Sequence, residues 1–256
     1  MKIFSGKSFL SLLLLFVIFS CASRKDLVYL QNIDTVGNSN AAANFEPVLQ
    51  PDDLLSIIVS AETPEVTIPF NLPSIQGNYQ IGNNQNGIKT YLIDSFGNIE
   101  FPVIGKIKLG GLTRSAANAK IVKSVSEYIT NPSINLRILN YKIAVIGEVT
   151  RPGNYSIASE RVTILEGLAL AGDLTIYGKR DNILLIREIE GKKTFSRIDL
   201  TKTDFIDSPN YYLVQNDILV VEPNKTKINA SAFGPNLPVI ISALSLLLTA
   251  AIVIIR

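Results

Sequence analysis

Histidine is absent from this 256-residue chain, and cysteine occurs once. Without histidine the commonest general base is missing, and with it the Ser-His and Cys-His nucleophile pairs and the most frequent transition-metal ligand. A single cysteine can form neither an internal disulfide nor a thiolate zinc site. An excess of charge of one sign is lacking too: 24 basic residues face 22 acidic ones, a net of +2. That balance sets up no long-range field for a polyanion, and no basic patch interleaves with aromatics, so nucleic acid is not an expected partner. These absences speak against an enzyme and predict neither a cofactor nor a metal site.

What is present begins at the two ends. Lys2 and Lys7 precede an apolar run, Phe9–Phe19, of about eleven residues, too short to span a bilayer as a stable helix. The only cysteine follows at once, in Val17-Ile18-Phe19-Ser20-Cys21. This resembles a bacterial lipobox: an aliphatic at Ile18, a small residue at Ser20, then the cysteine. Residues 1–20 read as a lipoprotein signal peptide and Cys21 as an acylated lipid anchor. Ala22 and Ser23 follow with no aspartate beside the cysteine, which resembles lipoproteins sent on to the outer membrane. Each buried methylene of an acyl chain contributes about 0.8 kcal/mol, so several chains hold firmly.

At the other end no charge occurs from Ile228 to Ile255. Residues 236–256 read as a C-terminal transmembrane helix. Nineteen aliphatic-rich residues at ~1.5 Å each reach roughly 28 Å, enough for a thin bilayer. Ser242, Ser245 and Thr249 recur at helical spacing on one face. Small, weakly polar residues let membrane helices approach closely, so this is the expected helix–helix contact face. The alternative is a lone anchor whose hydroxyls bond back to their own helix.

Between the ends the pattern is α+β. Residues 21–47, polar and Asn-rich, read as an N-terminal arm or linker. Leu54–Val59 is β-rich after the turn at Pro51-Asp52-Asp53, and 76–87 is a Gly/Asn/Gln loop. Tyr91–Ile93 is expected to pair with Ile99–Phe101 across Asp94–Asn98. Thr113 caps a helix whose apolar face is Ile121, Val122, Val125 and Ile129, ending before Asn131-Pro132. Ile134, Leu136 and Ile138 alternate as a strand. A second unit opens with a strand at Lys142–Val149 and a turn at Arg151–Asn154. Thr163-Ile164-Leu165-Glu166 then fits a capping box for a short helix that stops at Gly172. Strands at Ile183–Arg187 and Thr194–Ile198 flank Gly191, and a last pair flanks Gln215-Asn216-Asp217. A strand pair, a crossing helix and more strands describe a β-grasp module.

Gly147-Glu148-Val149, Pro152-Gly153, Tyr155, Ala171-Gly172-Asp173, Tyr177-Gly178 and Asn216-Asp217 together resemble an SLBB (soluble ligand-binding β-grasp) domain. Upstream, Pro51-Asp52-Asp53-Leu54, Tyr91–Asp94, Gly97, Pro102, Gly105 and Gly111-Leu112-Thr113 resemble a polysaccharide-export domain. In this order, over roughly 48–223, they resemble the Wza-type polysaccharide biosynthesis/export proteins. The implied layout is an export domain at 48–141, one SLBB β-grasp domain at 142–227 and the C-terminal helix. Asp52 and Asp173 stand where that family often has glycine; both tolerate left-handed backbone.

Gly147, Glu148, Pro152, Gly153 and Tyr155 are candidate site residues. The preferred reading is structural, with Gly and Pro shaping a turn and Tyr155 packing in the core; the other is a face for ligand or a neighbouring subunit. Asp52/Asp53 and Glu188/Glu190 are the carboxylate pairs that a sugar-cleaving enzyme needs, but both fall at turns and neither is assigned to catalysis. The resemblance implies a ring-forming outer-membrane lipoprotein that exports capsular or extracellular polysaccharide, with its main domains in the periplasm. Its implied partners are other copies of the chain, the polymer, the outer membrane and an inner-membrane chain-length co-polymerase. The alternative is a non-oligomeric envelope lipoprotein that binds a soluble sugar through its β-grasp domain.

Overall fold

The computed structural model describes residues 27–35, 45–72, 90–189, 191–234 and 237–255. Residues 1–20, Cys21, the loop expected at 76–87 and Glu190 lie outside the described residues. The first unit contains β1 (Leu54–Ser60), β2 (Tyr91–Leu92), β3 (Asn98–Phe101), β4 (Gly105–Lys108), α1 (Arg114–Val125) and β5 (Ser133–Ile138). Leu55, Ile57 and Val59 share one face of β1 because side chains alternate along a strand, and all three are buried. Strand β1 lies between β2 and β5, antiparallel to both. Helix α1 closes this face with Ala117, Ile121 and Val125. Thr113 caps it, its side chain accepting from the Ala116 N–H. The helix ends four residues earlier than its apolar spacing predicts, but Ile129 stays buried, its N–H bonded to the Val125 carbonyl.

The expected hairpin forms with different partners. Asp94–Asn98 is a tight turn, as the Gly97 spacing predicts, with the Asp94 carboxylate accepting the Phe96 and Asn98 N–H groups. Yet β2 pairs with β1, while β3 pairs with β4. Tyr91 and Phe101 still meet, their rings stacked with centroids 5.5 Å apart.

The second unit contains β6 (Lys142–Gly147), β7 (Gly153–Ser156), β8 (Val162–Thr163), α2 (Ile164–Leu170), β9 (Gly178–Ile189), β10 (Lys192–Ile198), β11 (Tyr212–Leu213) and β12 (Ile218–Pro223). Its five-stranded sheet has the order β10-β9-β12-β6-β7, with β12 parallel to β6. Helix α2 covers one face through Ile164, Gly167 and Leu168. Its capping box is complete: Thr163 accepts from Glu166, whose carboxylate accepts in return. A hairpin, a crossing helix and a strand returning parallel beside the first make a β-grasp module, as expected.

Asn140 stitches the two units. Its carbonyl oxygen accepts the Leu54 N–H, its amide donates to Asp52, and its backbone carbonyl accepts from Gln215. Arg114 of α1 reaches Glu160 of the second unit at 3.2 Å.

Beyond β12 come α3 (Lys225–Phe233) and α4 (Leu237–Ile255). The helix expected at 236–256 forms as α4. No helix is long and apolar enough to cross a membrane among the described residues. The side chains described in α4, at 238–251 and Val253, are exposed.

Candidate functional site

The Gly147–Tyr155 motif sits where the β-grasp sheet turns back on itself. Gly147 has φ +94°, and a Cβ there would stand 2.1 Å from the Val221 carbonyl oxygen. Only glycine lets β6 approach β12 this closely. Glu148 accepts the Thr175 hydroxyl at 2.7 Å, and its backbone carbonyl takes the Thr175 N–H. Val149 bridges to Leu174. Arg151 donates from its backbone to Ala171 and from its guanidinium to Leu170. The Tyr155 hydroxyl donates to the Arg151 carbonyl. Pro152 is exposed, and Gly153 opens β7. The motif thus grips the 170–177 loop from below.

That loop is held in shape yet presents apolar side chains outward. Gly172 and Asp173 are both left-handed, with φ +75° and +66°, which is why Asp173 can stand in a glycine-like position. Leu174 is buried beneath the loop, whereas Leu170, Ile176 and Tyr177 are 40%, 63% and 39% exposed.

Two chain segments meet at this loop. From one side comes the stretch around Tyr29, expected to be part of a polar arm. It docks instead: Leu30 packs against the β-grasp core, its N–H bonds to Leu200, and Gln31 bonds to Thr201. The Tyr29 hydroxyl donates to Asp173 at 2.6 Å, and the Arg180 guanidinium lies 5.5 Å from its ring. Burial, and then the bond to Asp173, pushes the Tyr29 phenol above its usual range. Apolar and aromatic side chains thus fasten the described residues 27–33 of the expected arm to the β-grasp unit. From the other side comes α3: Asn224 donates to the Tyr177 carbonyl at 2.7 Å, and Lys227 stands 5.1 Å from the Tyr177 ring.

The paired acids separate. Asp52 is exposed at φ +70°, while Asp53 is 1% exposed beneath the same turn. Asp53 accepts the Gln50 N–H at 2.8 Å through one oxygen, and the other has no partner. Burial pushes its carboxyl up to about 6, against the Gln50 bond. Glu188 is exposed at the β9–β10 turn. No group of three or more Cys, Asp and Glu able to hold a metal occurs among the described residues. Ser242, Ser245 and Thr249 each donate to a carbonyl of α4 itself.

One buried ion pair joins Asp217, already among the residues of the SLBB resemblance, to Arg187, a partner that motif and spacing do not reveal. Arg187 clamps Asp217 through two nitrogens, at 3.0 Å and 2.7 Å, and also donates to the Tyr212 carbonyl. Burial pushes the Asp217 carboxyl up, opposed by Arg187 and the Val214 N–H. Strand parity carried the signal: Arg187 follows Ile183 and Leu185 on the inward face, and Asp217 precedes Leu219 and Val221.

Comparison with known proteins bears on the whole arrangement. The family described as polysaccharide biosynthesis/export protein matches residues 41–139, and the SLBB domain matches residues 142–195. The chain belongs to the polysaccharide biosynthesis/export family. An "EPS I polysaccharide export outer membrane protein EpsA" of Ralstonia solanacearum is 31% identical over 179 residues, 68% of this chain and 47% of that protein. The protein of the same name from Ralstonia nicotianae is 31% identical over 176 residues, 66% of this chain and 45% of its own length. The chain therefore spans about half the length of the curated relatives it matches. The two matched families fall on the two hydrophobic cores, and β12 extends the second unit to Pro223, beyond the matched segment.

Proposed function

We propose that this chain is a ring-forming lipoprotein subunit that passes capsular or extracellular polysaccharide across the outer membrane, with no bond made or broken. The observation that carries this is the succession of an export domain and an SLBB domain in one chain, together with its likeness to proteins named as polysaccharide export outer membrane proteins. In this reading Cys21 is acylated and α4 lies in the bilayer. The exposed side chains described in α4 leave an apolar surface for lipid or neighbouring helices to cover. Ser242, Ser245 and Thr249 already have acceptors, so small volume rather than free hydroxyls is what their face offers a neighbour. Closed rings of identical subunits use head-to-tail contacts, and a hydrated bore suits a hydrophilic polymer. The inner-membrane co-polymerase is the partner expected at the periplasmic end.

Two measurements test this. A strain lacking the chain should lose surface polysaccharide and regain it on complementation; undiminished polymer refutes the export role. The detergent-solubilised particle should weigh a multiple of the mature, acylated chain. A strictly monomeric particle that binds free sugar would instead establish the soluble-ligand alternative.

A further inference from the structure

Leu170, the last residue of α2, and Ile176 and Tyr177 of the loop that follows are exposed apolar side chains that the structure does not allow to fold inward. Thr150 and Arg151 bond to Asp173 and Ala171, Thr175 is bonded to Glu148, and Leu174 already fills the space beneath. Scattered exposed apolar residues are ordinary on protein surfaces, but these coincide with both ends of the β-grasp unit's chain. Tyr29 reaches Asp173 at the centre of the loop, and Asn224 bonds to Tyr177 at its end.

Distances make the coincidence specific. Cys21 stands eight residues before Tyr29, so a fully extended chain reaches at most ~28 Å. On the other side the nine residues of α3 rise about 14 Å, and three more residues lead to α4. Both proposed membrane attachments thus leave from the same end of the same domain, on short tethers. The chemistry there suits a headgroup layer. Tyr177 joins an apolar ring to a polar tip, the arrangement enriched at membrane interfaces. Lys227 reaches over that ring and stands 4.0 Å from the Glu148 carboxylate, which brings a cation to the rim of the loop.

We propose that the 170–177 loop rests on the membrane, with Ile176 and Tyr177 inserted at headgroup level and Lys227, beside the Tyr177 ring, toward anionic lipid phosphates. The SLBB motif then serves mechanically, with Gly147–Tyr155 holding the contact loop in place. This proposal depends on the reading that the chain is held at a membrane from both ends.

The chain contains no tryptophan, so Ile176→Trp places a single reporter on the loop. The full-length variant is reconstituted into phosphatidylethanolamine/phosphatidylglycerol vesicles with or without brominated acyl chains. Phe96→Trp, at a turn tip of the export domain that is 77% exposed, serves as the distant control. The expected result is a blue-shifted emission, quenched by bromine, for Ile176→Trp and for Tyr177→Trp but not for Phe96→Trp. Unquenched emission at both loop positions in protein that floats with the vesicles overturns the proposal and leaves the membrane anchorage standing. Protein that does not float at all overturns the anchorage, and the loop contact with it.

Discussion

Replacing Asp53 by Asn should flatten the pH dependence of the export domain's stability between pH 5 and 7.5. Asp53 is held at 1% exposure with one carboxylate oxygen unpartnered, and its carboxyl is raised to about 6. A raised carboxyl favours the protonated form in the folded state. The associated stability is fully present below the unfolded value near 3.8 and is lost as pH rises through about 6. With those two values the native state gains about 1.4 kcal/mol between pH 7.5 and pH 5. For a domain of ~100 residues this is a rise in melting temperature of roughly 5–10 °C. Asparagine keeps an oxygen for the Gln50 N–H and does not titrate. The comparison is one of slopes, so any constant cost of the amide cancels. The chain has no histidine to titrate in this window, and Asp217 and other carboxyls contribute equally to both proteins. The assay is thermal unfolding of detergent-solubilised full-length protein followed by far-ultraviolet circular dichroism at the two pH values. If wild type and Asp53→Asn shift in parallel, the burial argument is wrong.

Three other outcomes are expected. Arg187→Ala leaves Asp217 buried without its partner and should cost about 3–5 kcal/mol, whereas Arg187→Met with Asp217→Leu should recover much of that loss; chemical denaturation curves of the two variants decide it. Gly147→Ala forces a Cβ to 2.1 Å from a carbonyl oxygen at φ +94°, so β6 and β12 must part. The β-grasp transition should fall while the export domain's stays, and two-step proteolysis distinguishes the domains. Leu30→Ala removes a side chain packed on the β-grasp core and frees the Tyr29 segment, so amide exchange should rise at residues 29–32 and 200–203. Unchanged exchange there would show that the docking contributes nothing.

The sequence by itself determined whatever depends on neighbours a few residues away. The Thr113 cap, the Thr163–Glu166 box, the Asp94–Asn98 turn and Gly191 between β9 and β10 are all closed by contacts within about five residues. Alternation also sorted strand faces, and it already placed Asp53, Arg187 and Asp217 at inward parity, a signal that charge obscured. The order of glycines, prolines and aspartates along the chain carried the family.

Partner choice was decided only in three dimensions. Period-two patterning says which face of a strand is buried but not which strand lies beside it, and several strands of similar character compete. So β2 went to β1 rather than β3, and β12 lay parallel to β6 across more than seventy residues. The docking of Tyr29 and Leu30 was invisible for the same reason: two apolar side chains in a polar segment acquire a meaning only when a groove far along the chain is built to receive them. The 170–177 loop shows the same division. Its left-handed turn is local chemistry, but its place between the two ends of the domain is the work of the assembled sheet.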